Sequence, residues 1–286
     1  MRAGAIGTSR VACRSILAGG TTTRIDTVTN AERGQSNTSQ FSLRLGAFAA
    51  DFAYGTDQME AVQRLRAMRF RAHAASGDLD RFDALSEHLM ITVPPDRAAI
   101  GVARLRILTT PEDILSCYSG QFYDLAELAR SGRRLVEVGR ICIDENHAQD
   151  VDVARVLLAS LARISSDYSA DMLIGCASFP GAEPARHRNA LNYLFDRHPG
   201  PANVKPGRRA GLNHVLPDVD HTPQATDLRE VPALLRLYLG LGGWVSDHAI
   251  CDHDLDTVHV FTAVEVASIP RARLRALKAL AREDVR

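Results

Sequence analysis

The stretch from residue 135 to residue 143 reads Leu-Val-Glu-Val-Gly-Arg-Ile-Cys-Ile, so two charged residues stand inside an otherwise apolar run. Short apolar runs of this kind are typical of buried β-strands, where a charge is costly unless it is paired or used. Two interpretations of Glu137 and Arg140 follow. They form a structural ion pair, or they are a general base and an anchoring cation at the end of a central strand.

Composition narrows the class of protein. The chain has 286 residues, of which 45% are hydrophobic and 24% charged, and its formal net charge is zero. This balance predicts a globular core and gives no global reason to expect nucleic acid as a partner. The five cysteines are scattered and form no CxxC pair, which favours reduced thiols over a disulfide framework or a zinc site. No apolar run approaches the ~18 residues of a membrane-spanning helix.

The predicted elements alternate in a mixed order, which is strand, helix, three strands, helix, strand, helix, and a tail with one strand. An antiparallel meander followed by a crossover predicts the α/β (α+β) class, with a mixed central sheet flanked by helices. Residues 1–40 are predicted to be a disordered N-terminal extension, and residues 41–286 a single domain. The predicted strands are 41–48, 88–93, 98–108, 135–143, 172–177 and 257–266, and the predicted helices are 57–73, 125–130, 150–168, 184–195, 231–239 and 271–282.

The element order resembles the GNAT acyltransferase fold. A set of polar and aromatic residues in this order resembles the acyl-homoserine lactone synthases and, more closely, the ornithine N-acyltransferases that begin ornithine-lipid synthesis. Local strings at 82–90, at 175–181, and at 232–244 followed by 258–261 favour the second family, and the resemblance spans about residues 42–268. The residues that carry it are Arg66 and Phe70 on the first helix, Asp80 and Asp83 in the next loop, Arg104 on a strand, and Glu137 with Arg140.

The resemblance implies roles for these positions. Glu137 would take a proton from the attacking amine, and Arg140 would hold the substrate carboxylate or pair with Glu137. Asp80 and Asp83 would bind the second amine of ornithine or order the loop beside Arg66. The substrate-binding set predicted in this way is Arg66, Phe70, Asp80, Asp83, His88, Arg104 and Ser178, with His88 also readable as a structural histidine.

The segment that follows the central strand bears on the acyl donor. Acetyl-CoA-using relatives place a glycine-rich turn there, whose N–H groups bind pyrophosphate at a helix N-terminus. Residues 144–150 instead contain no glycine and three acids, Asp144, Glu145 and Asp150. This favours acyl carrier protein, whose phosphopantetheine thioester lacks the nucleotide, as donor substrate. Alternatively, the pyrophosphate binds elsewhere. No cofactor and no metal are expected.

Several other residues have two interpretations. Cys142 and Cys176 are candidate nucleophiles, but apolar strands raise the pKa of a thiol. The run 252–254, Asp-His-Asp, is metal-like in composition, although solvated loop charge is the simpler reading. Backbone N–H groups where strands splay apart are expected to stabilise the oxyanion. A basic surface for the acidic carrier protein is sought among Arg64, Arg69, Arg71, Lys205, Arg208 and Arg209.

The predicted function is transfer of a 3-hydroxyacyl group from acyl carrier protein to the α-amine of L-ornithine, giving the lyso form of ornithine lipid. Two alternatives stay open. One is an acyl-homoserine lactone synthase that uses S-adenosylmethionine, and the other is a non-catalytic module that binds an acyl carrier or lipid. A cytoplasmic location is expected, with peripheral contact at the inner face of the membrane as an option because the product is a lipid intermediate.

Overall fold

The computed structural model describes residues 41–71, 77–96, 98–218, 220 and 222–280. The predicted disordered extension at 1–40 lies outside these residues, as do the last residues predicted for the first and final helices. Within the described part of the chain, no helix is long and apolar enough to cross a membrane.

The described chain contains eleven strands and seven α-helices, joined by short 3-10 turns. The strands are β1 (Ser42–Leu45), β2 (Phe48–Phe52), β3 (Glu87–Thr92), β4 (Gly101–Leu108), β5 (Tyr123–Asp124), β6 (Leu135–Ile143), β7 (Met172–Pro180), β8 (Gly207–Arg208), β9 (His214–Val215), β10 (Trp244–Asp252) and β11 (Thr257–Glu265). The helices are α1 (Thr56–Phe70), α2 (Pro111–Leu115), α3 (Ala126–Arg130), α4 (Val151–Asp167), α5 (Arg188–Arg197), α6 (Ala233–Gly240) and α7 (Arg271–Leu280).

Nine strands form one mixed sheet in the order β1-β2-β3-β4-β6-β7-β11-β10-β9, and β5 pairs with β8 separately. Strands β6 and β7 are parallel and are joined through α4, whereas the other pairings in the sheet are antiparallel. An antiparallel meander followed by one crossover is the mixed α/β architecture that the element order predicted. The predicted hairpin of β3 and β4 is confirmed.

Alternation along β6 separates the two faces of the sheet. Val136 and Val138 belong to the core beneath α4, together with residues of β1 to β4. Glu137 stands between them in sequence and points to the opposite face, where α1 packs against β3, β4 and β6. The acid of the central strand is therefore placed on the α1 face by strand geometry alone.

Two local predictions were wrong in detail. The single strand predicted at 41–48 is a hairpin, because Gly46 adopts a positive φ of 59° and turns the chain between β1 and β2. Strand β10 was missed, because Ser246, Asp247 and His248 interrupt its apolar pattern at a register shift.

Candidate active site

The central parallel strands separate soon after they meet. Their pairing covers three positions and ends at Glu137 opposite Ile174, although both strands continue well beyond. Gly175 lies just past this point, and a Cβ added there would stand 2.3 Å from the carbonyl oxygen of Val138. The absence of a side chain at Gly175 allows the backbones to touch before they diverge.

A bulge turns β6 at the same level. The register with β4 shifts between Val102 and Arg104, so β6 carries one extra residue against its partner. Arg140 adopts a φ of 50°, the left-handed region that non-glycine residues rarely occupy. The bulge re-aims the end of β6 away from β7 and directs the Arg140 side chain onto the α1 face.

A cavity of about 260 Å³ occupies the opening between the two strands. Its lining comes from both faces of the sheet, so it passes through the gap. The α1 face contributes polar groups, among them Glu137, Arg140, Tyr118, Ser178 and His259. The opposite face contributes an apolar wall from α4, α6 and α7, including Leu158, Leu161, Leu234, Tyr238, Leu274 and Leu277.

Glu137 is a buried carboxylate with 5% of its surface exposed, and it lines this cavity. Its two oxygens accept backbone N–H groups from Tyr118 at 3.0 Å and from Ser119 at 2.7 Å. Among the described residues it forms no ion pair, so the predicted alternative of a Glu137–Arg140 structural pair is wrong. The second interpretation, a positioned base, fits this geometry.

The turn that holds Glu137 is itself fixed by Arg106, which sequence reasoning missed. Arg106 lies directly opposite Glu137 in the β4–β6 register. Its guanidinium donates to the carbonyl oxygen of Ser116 at 3.0 Å and to the Ser116 hydroxyl at 3.2 Å. Arg106 therefore anchors the turn whose next residues present their N–H groups to the carboxylate.

Arg66 is at the centre of a buried ion-pair network behind the cavity. It is 1% exposed and donates to Asp78 at 2.9 Å and to Asp83 at 2.6 Å. Burial opposes ionisation of Asp78, but Arg140 and Arg66 hold the pKa of its carboxyl below the ordinary value. His88 Nε2 contacts the backbone carbonyl of Asp83 at 3.2 Å, and burial lowers the pKa of this histidine.

Arg104 and Arg140 link that network to the cavity. Arg104 donates to Asp80 at 2.6 Å and to Asp83 at 3.3 Å, and Arg140 donates to Asp78 at 2.9 Å and to Asp80 at 3.1 Å. Burial disfavours the charged form of Arg140, yet Tyr118 and these aspartates raise its pKa overall. Both guanidiniums stand as fixed cations at the polar wall of the cavity.

The aromatic ring of Tyr118 lies between these cations. The Arg104 and Arg140 guanidiniums are 5.3 Å and 5.1 Å from its centroid, a cation–π geometry. Arg140 also stands 5.7 Å from the ring of Phe70. Burial raises the pKa of Tyr118 to about 12, although Arg140 opposes this, so its phenol stays protonated at neutral pH.

The structure brings together every residue that the sequence nominated, but in two layers. Glu137, Arg140, Phe70, Arg104 and Ser178 line the cavity. The other four nominated residues belong to the buried network described above, in which arginines already pair with both aspartates, and their part in substrate binding stays a prediction. They are Arg66, Asp80, Asp83 and His88.

Neither thiol is suited to nucleophilic attack. Burial raises the pKa of Cys142 to about 12 and also raises that of Cys176, so both stay protonated. No group of three or more metal-ligating side chains occurs in the described residues, and the run 252–254 therefore has no metal-site geometry there. Its first residue, Asp252, is buried rather than solvated.

Tyr118, Asp78 and Arg106 are site residues that local sequence patterns did not single out. Tyr118 belongs to an irregular stretch with no periodicity. Asp78 precedes Asp80 in the same loop, and the regular spacing of acids along that loop could have identified it as a site residue. Arg106 could have been found from its alternation with Arg104 on β4, which places both guanidiniums on one face.

Comparison with known proteins finds similarity to acyltransferases. Residues 63–158 match the acetyltransferase (GNAT) domain family. The chain is 29% identical over 197 residues to an L-ornithine N(alpha)-acyltransferase of Rhodobacter capsulatus, covering 67% of this chain and 76% of the relative. It is also 29% identical over 248 residues to the protein of that name in Brucella abortus, covering 79% and 87%.

Two solved structures are similar in outline. One is FeeM, an N-acyl amino acid synthase from uncultured soil microbes, with a TM-score of 0.47 and 12% identity over 82% of this chain and 98% of that one. The other is the acyl-homoserine lactone synthase LasI, with a TM-score of 0.40 and 12% identity over 77% and 91%. Similarity at this level is not evidence of a shared substrate.

The mixed sheet, its separated central strands and the matched domain define an N-acyltransferase with the GNAT fold. Within that class, the chain is similar to L-ornithine N(alpha)-acyltransferases, at 26–29% identity.

Proposed function

We propose that the protein transfers a 3-hydroxyacyl group from acyl carrier protein to the α-amine of L-ornithine, forming the lyso form of ornithine lipid. The observation that carries this proposal is a single cavity that joins a buried carboxylate to an apolar wall through the gap between β6 and β7. An amine acceptor needs the first feature and a long acyl chain needs the second. The names of four homologues support ornithine as the acceptor.

Glu137 is the proposed general base. The α-ammonium of an amino acid must lose a proton before nitrogen can attack a thioester carbon, and a carboxylate at the reaction centre takes that proton directly or through water. The Tyr118 and Ser119 N–H groups fix the carboxylate in place, and each oxygen keeps a further lone pair for the substrate. After attack, the nitrogen gives up a second proton and the C–S bond breaks. The departing thiolate takes one of the two protons, and the other passes to solvent.

Unpaired backbone N–H groups along the gap are proposed to stabilise the tetrahedral oxyanion. Past Glu137, the facing edges of β6 and β7 have no strand partner in each other. Val138, Gly139, Gly175 and Cys176 line the cavity at this point. Amide dipoles held by a sheet are preorganised, so they stabilise developing charge without the cost of reorientation.

The segment before α4 supports a donor without a nucleotide. Asp144 and Asp150 cap the backbone N–H groups of Asn146 and Asp152 with their own carboxylates, at 3.0 Å and 2.9 Å. These are the donors that a pyrophosphate would use, and two negative charges already occupy them. Phosphopantetheine attached to a carrier protein avoids this conflict.

The docking surface for the carrier protein is proposed to use exposed arginines. Four of the six basic residues nominated from the sequence are engaged. Arg69 pairs with Glu145, Arg71 with Asp254, and Lys205 with Asp247. Arg209 donates to the carbonyl oxygen of Gly120 at 2.7 Å. Arg64 and Arg208 are exposed and make no ion pair within the described residues. They are the cations left free to meet an acidic partner.

We place the reaction in the cytoplasm, where acyl carrier protein and ornithine are both available, with peripheral contact at the inner face of the membrane as the product leaves. The apolar product must reach a bilayer, and exposed basic side chains are attracted to anionic headgroups. Sedimentation with anionic vesicles, compared with zwitterionic ones, measures this contact.

The test mixes purified protein with 3-hydroxyacyl carrier protein and ornithine, and reads the products by mass spectrometry. Parallel tubes replace the carrier protein by the same acyl-CoA, or ornithine by S-adenosylmethionine. Acyl-ornithine from the carrier-protein tube is expected, with much slower turnover of acyl-CoA. Equal turnover of acyl-CoA contradicts the donor assignment, a lactone supports a homoserine lactone synthase, and acyl binding without product in any tube supports a binding module.

A further inference from the structure

The turn that joins β10 to β11 brings a buried carboxylate beside the polar end of the cavity. Asp252 ends β10 and is 7% exposed. Its Oδ1 accepts the backbone N–H groups of Asp254 at 3.0 Å and Leu255 at 3.2 Å. No arginine, lysine or histidine of the described chain forms an ion pair with it. A carboxylate removed from water without a cation is costly, so Asp252 is a site that lacks its counter-ion.

Asp252 is not itself in the lining of the cavity but lies beside it. It stands opposite Thr257 in the β10–β11 register, and therefore on the same face of the sheet as His259. Its charge raises the pKa of Tyr118 and of Cys176, and it opposes the lowering of the pKa of His259. All three of these residues line the cavity, as does Leu255 from the same turn. A cation that enters the polar end therefore comes within the field of this carboxylate.

His259 offers a hydrogen-bond acceptor at the same place. The Tyr123 hydroxyl donates to the carbonyl oxygen of His259 at 2.9 Å, so its oxygen accepts Nδ1–H of the His259 ring at 3.1 Å. The opposite ring nitrogen, Nε2, then carries a lone pair. That atom is buried and finds no hydrogen-bond partner among the residues that the structure describes. Burial lowers the pKa of His259 to about 4, which keeps the ring neutral.

A third acceptor completes the group. Ser178 stands directly opposite His259 in the β7–β11 register, and both side chains line the cavity. Together the three residues present a carboxylate, an imidazole lone pair and a hydroxyl oxygen. A primary ammonium carries three N–H donors and one positive charge, which this set can satisfy.

We propose that Asp252, His259 and Ser178 bind the side-chain ammonium of the amino-acid acceptor, and so select a diamino acid over a neutral one. The inference rests on the proposed function and adds the site that reads the acceptor's second amine. Asp80 and Asp83 were the sequence-based candidates for this role. Both are already neutralised by arginines, whereas Asp252 is not.

The test compares two acceptors that share a carbon skeleton. Ornithine carries the side-chain ammonium, and 2-aminopentanoate lacks it. Wild type is expected to favour ornithine. In Asp252→Asn, kcat/KM for ornithine is expected to fall roughly 10- to 100-fold, mainly through KM, because a hydrogen-bonded charge pair is lost. The value for 2-aminopentanoate is expected to change by less than about threefold.

Two further variants are a matched control for Asp252→Asn and a test of a second residue of the site. Asp254→Asn removes a charge from the same turn, but Asp254 is exposed and paired with Arg71, so it should leave the preference for ornithine intact. Ser178→Ala changes an exposed side chain and should fold normally, while lowering the preference a few-fold.

The outcomes are separable. If wild type acylates neither amino acid, the proposed function itself fails. If wild type acylates ornithine but shows no preference over 2-aminopentanoate, or if Asp252→Asn lowers both values equally, the ammonium site is wrong while the function stands. A collapse of the preference in Asp252→Asn, with Asp254→Asn unchanged, supports the site.

Discussion

Glu137 illustrates how one buried side chain is made available for chemistry. A carboxylate in the interior needs donors, and here they come from the backbone of the turn at Tyr118 and Ser119 rather than from a cation. Because Arg140 is committed to Asp78 and Asp80, it does not neutralise Glu137. The carboxyl group is therefore fixed by backbone donors and free of an ion pair among the described residues, which is what a base in this position requires.

Replacing Glu137 by glutamine should lower kcat by about 10²- to 10⁴-fold, because an amide cannot take the proton from the amine. Acyl-ornithine formation, followed by mass spectrometry, measures this loss. Glu127→Gln is the matched control, since Glu127 is exposed on α3 and pairs with Arg130. Retention of near wild-type turnover in Glu137→Gln would remove Glu137 from the mechanism.

Arg66 shows the cost of organising charge in the interior. Its substitution by methionine leaves Asp78 and Asp83 buried with fewer cations, which should lower the free energy of unfolding by about 3–5 kcal/mol. Urea denaturation measures the difference. Arg64→Ala, two residues earlier on the exposed face of α1, should change it by no more than about 0.5 kcal/mol. Equal effects of the two substitutions would contradict a structural role for the network.

At the scale of the element, the gap between β6 and β7 is the feature that turns a sheet into a binding site. Three pairings hold the strands together, and the bulge at Arg140 then carries β6 away. This separation leaves backbone N–H and C=O groups without a strand partner on both facing edges. A protein retains such edges only where other elements cover them or where they bind a ligand. In this fold they border the cavity.

A pair of glycines tests the importance of the contact at the start of the gap. Gly175→Ala places a Cβ 2.3 Å from the carbonyl oxygen of Val138, whereas a Cβ at Gly139 meets nothing within 4 Å. Gly175→Ala should therefore lower the melting temperature and activity together, because β6 and β7 must move apart. Gly139→Ala should change the melting temperature by only a few degrees. Thermal unfolding of both variants measures the difference. Equal shifts in melting temperature would contradict the importance of the contact between Gly175 and Val138.

At the scale of the whole molecule, the distribution of buried titratable groups sets the response to acid. His88, His248 and His259 have pKa values lowered chiefly by burial, so the folded protein holds them neutral where the unfolded chain would bind protons. Stability then rises with pH through the window between the lowered pKa and the ordinary 6.5. Asp78 and Asp83 have pKa values below the ordinary 3.8. Their protonation therefore causes a second loss of stability only as the pH falls below that value.

The free energy of unfolding should accordingly begin to fall near pH 6.5 and continue toward pH 4, before the aspartates protonate. Urea denaturation at a series of pH values measures this slope. His259→Gln removes one of the titrating groups, whose pKa in the folded state is about 4, and should flatten the slope in that window. A stability that is constant from pH 6.5 to pH 4 would contradict the assignment.

Periodicity and local order in the chain were sufficient for the class of fold. The apolar run of β6, the stripe of α4 and the hairpin of β3 and β4 were each predictable, because burial of an apolar face follows from spacing along the chain. The site residues could be named because their order resembles that of a known family, and the structure places them close together. Strand β10 was not predictable, since its polar interruption hides the alternation.

The roles of the nominated residues depended on contacts between segments far apart in the chain. Arg140 and Glu137 are three residues apart, yet their side chains contact different segments. The bulge directs Arg140 to a loop some 60 residues earlier in the chain, whereas Glu137 accepts hydrogen bonds from a turn 18 residues earlier. Asp80 and Asp252 look alike as loop acids in the sequence. Within the described residues, three-dimensional packing gives cations to Asp80 and none to Asp252. Ion pairing depends on proximity in space, which spacing along the chain does not specify.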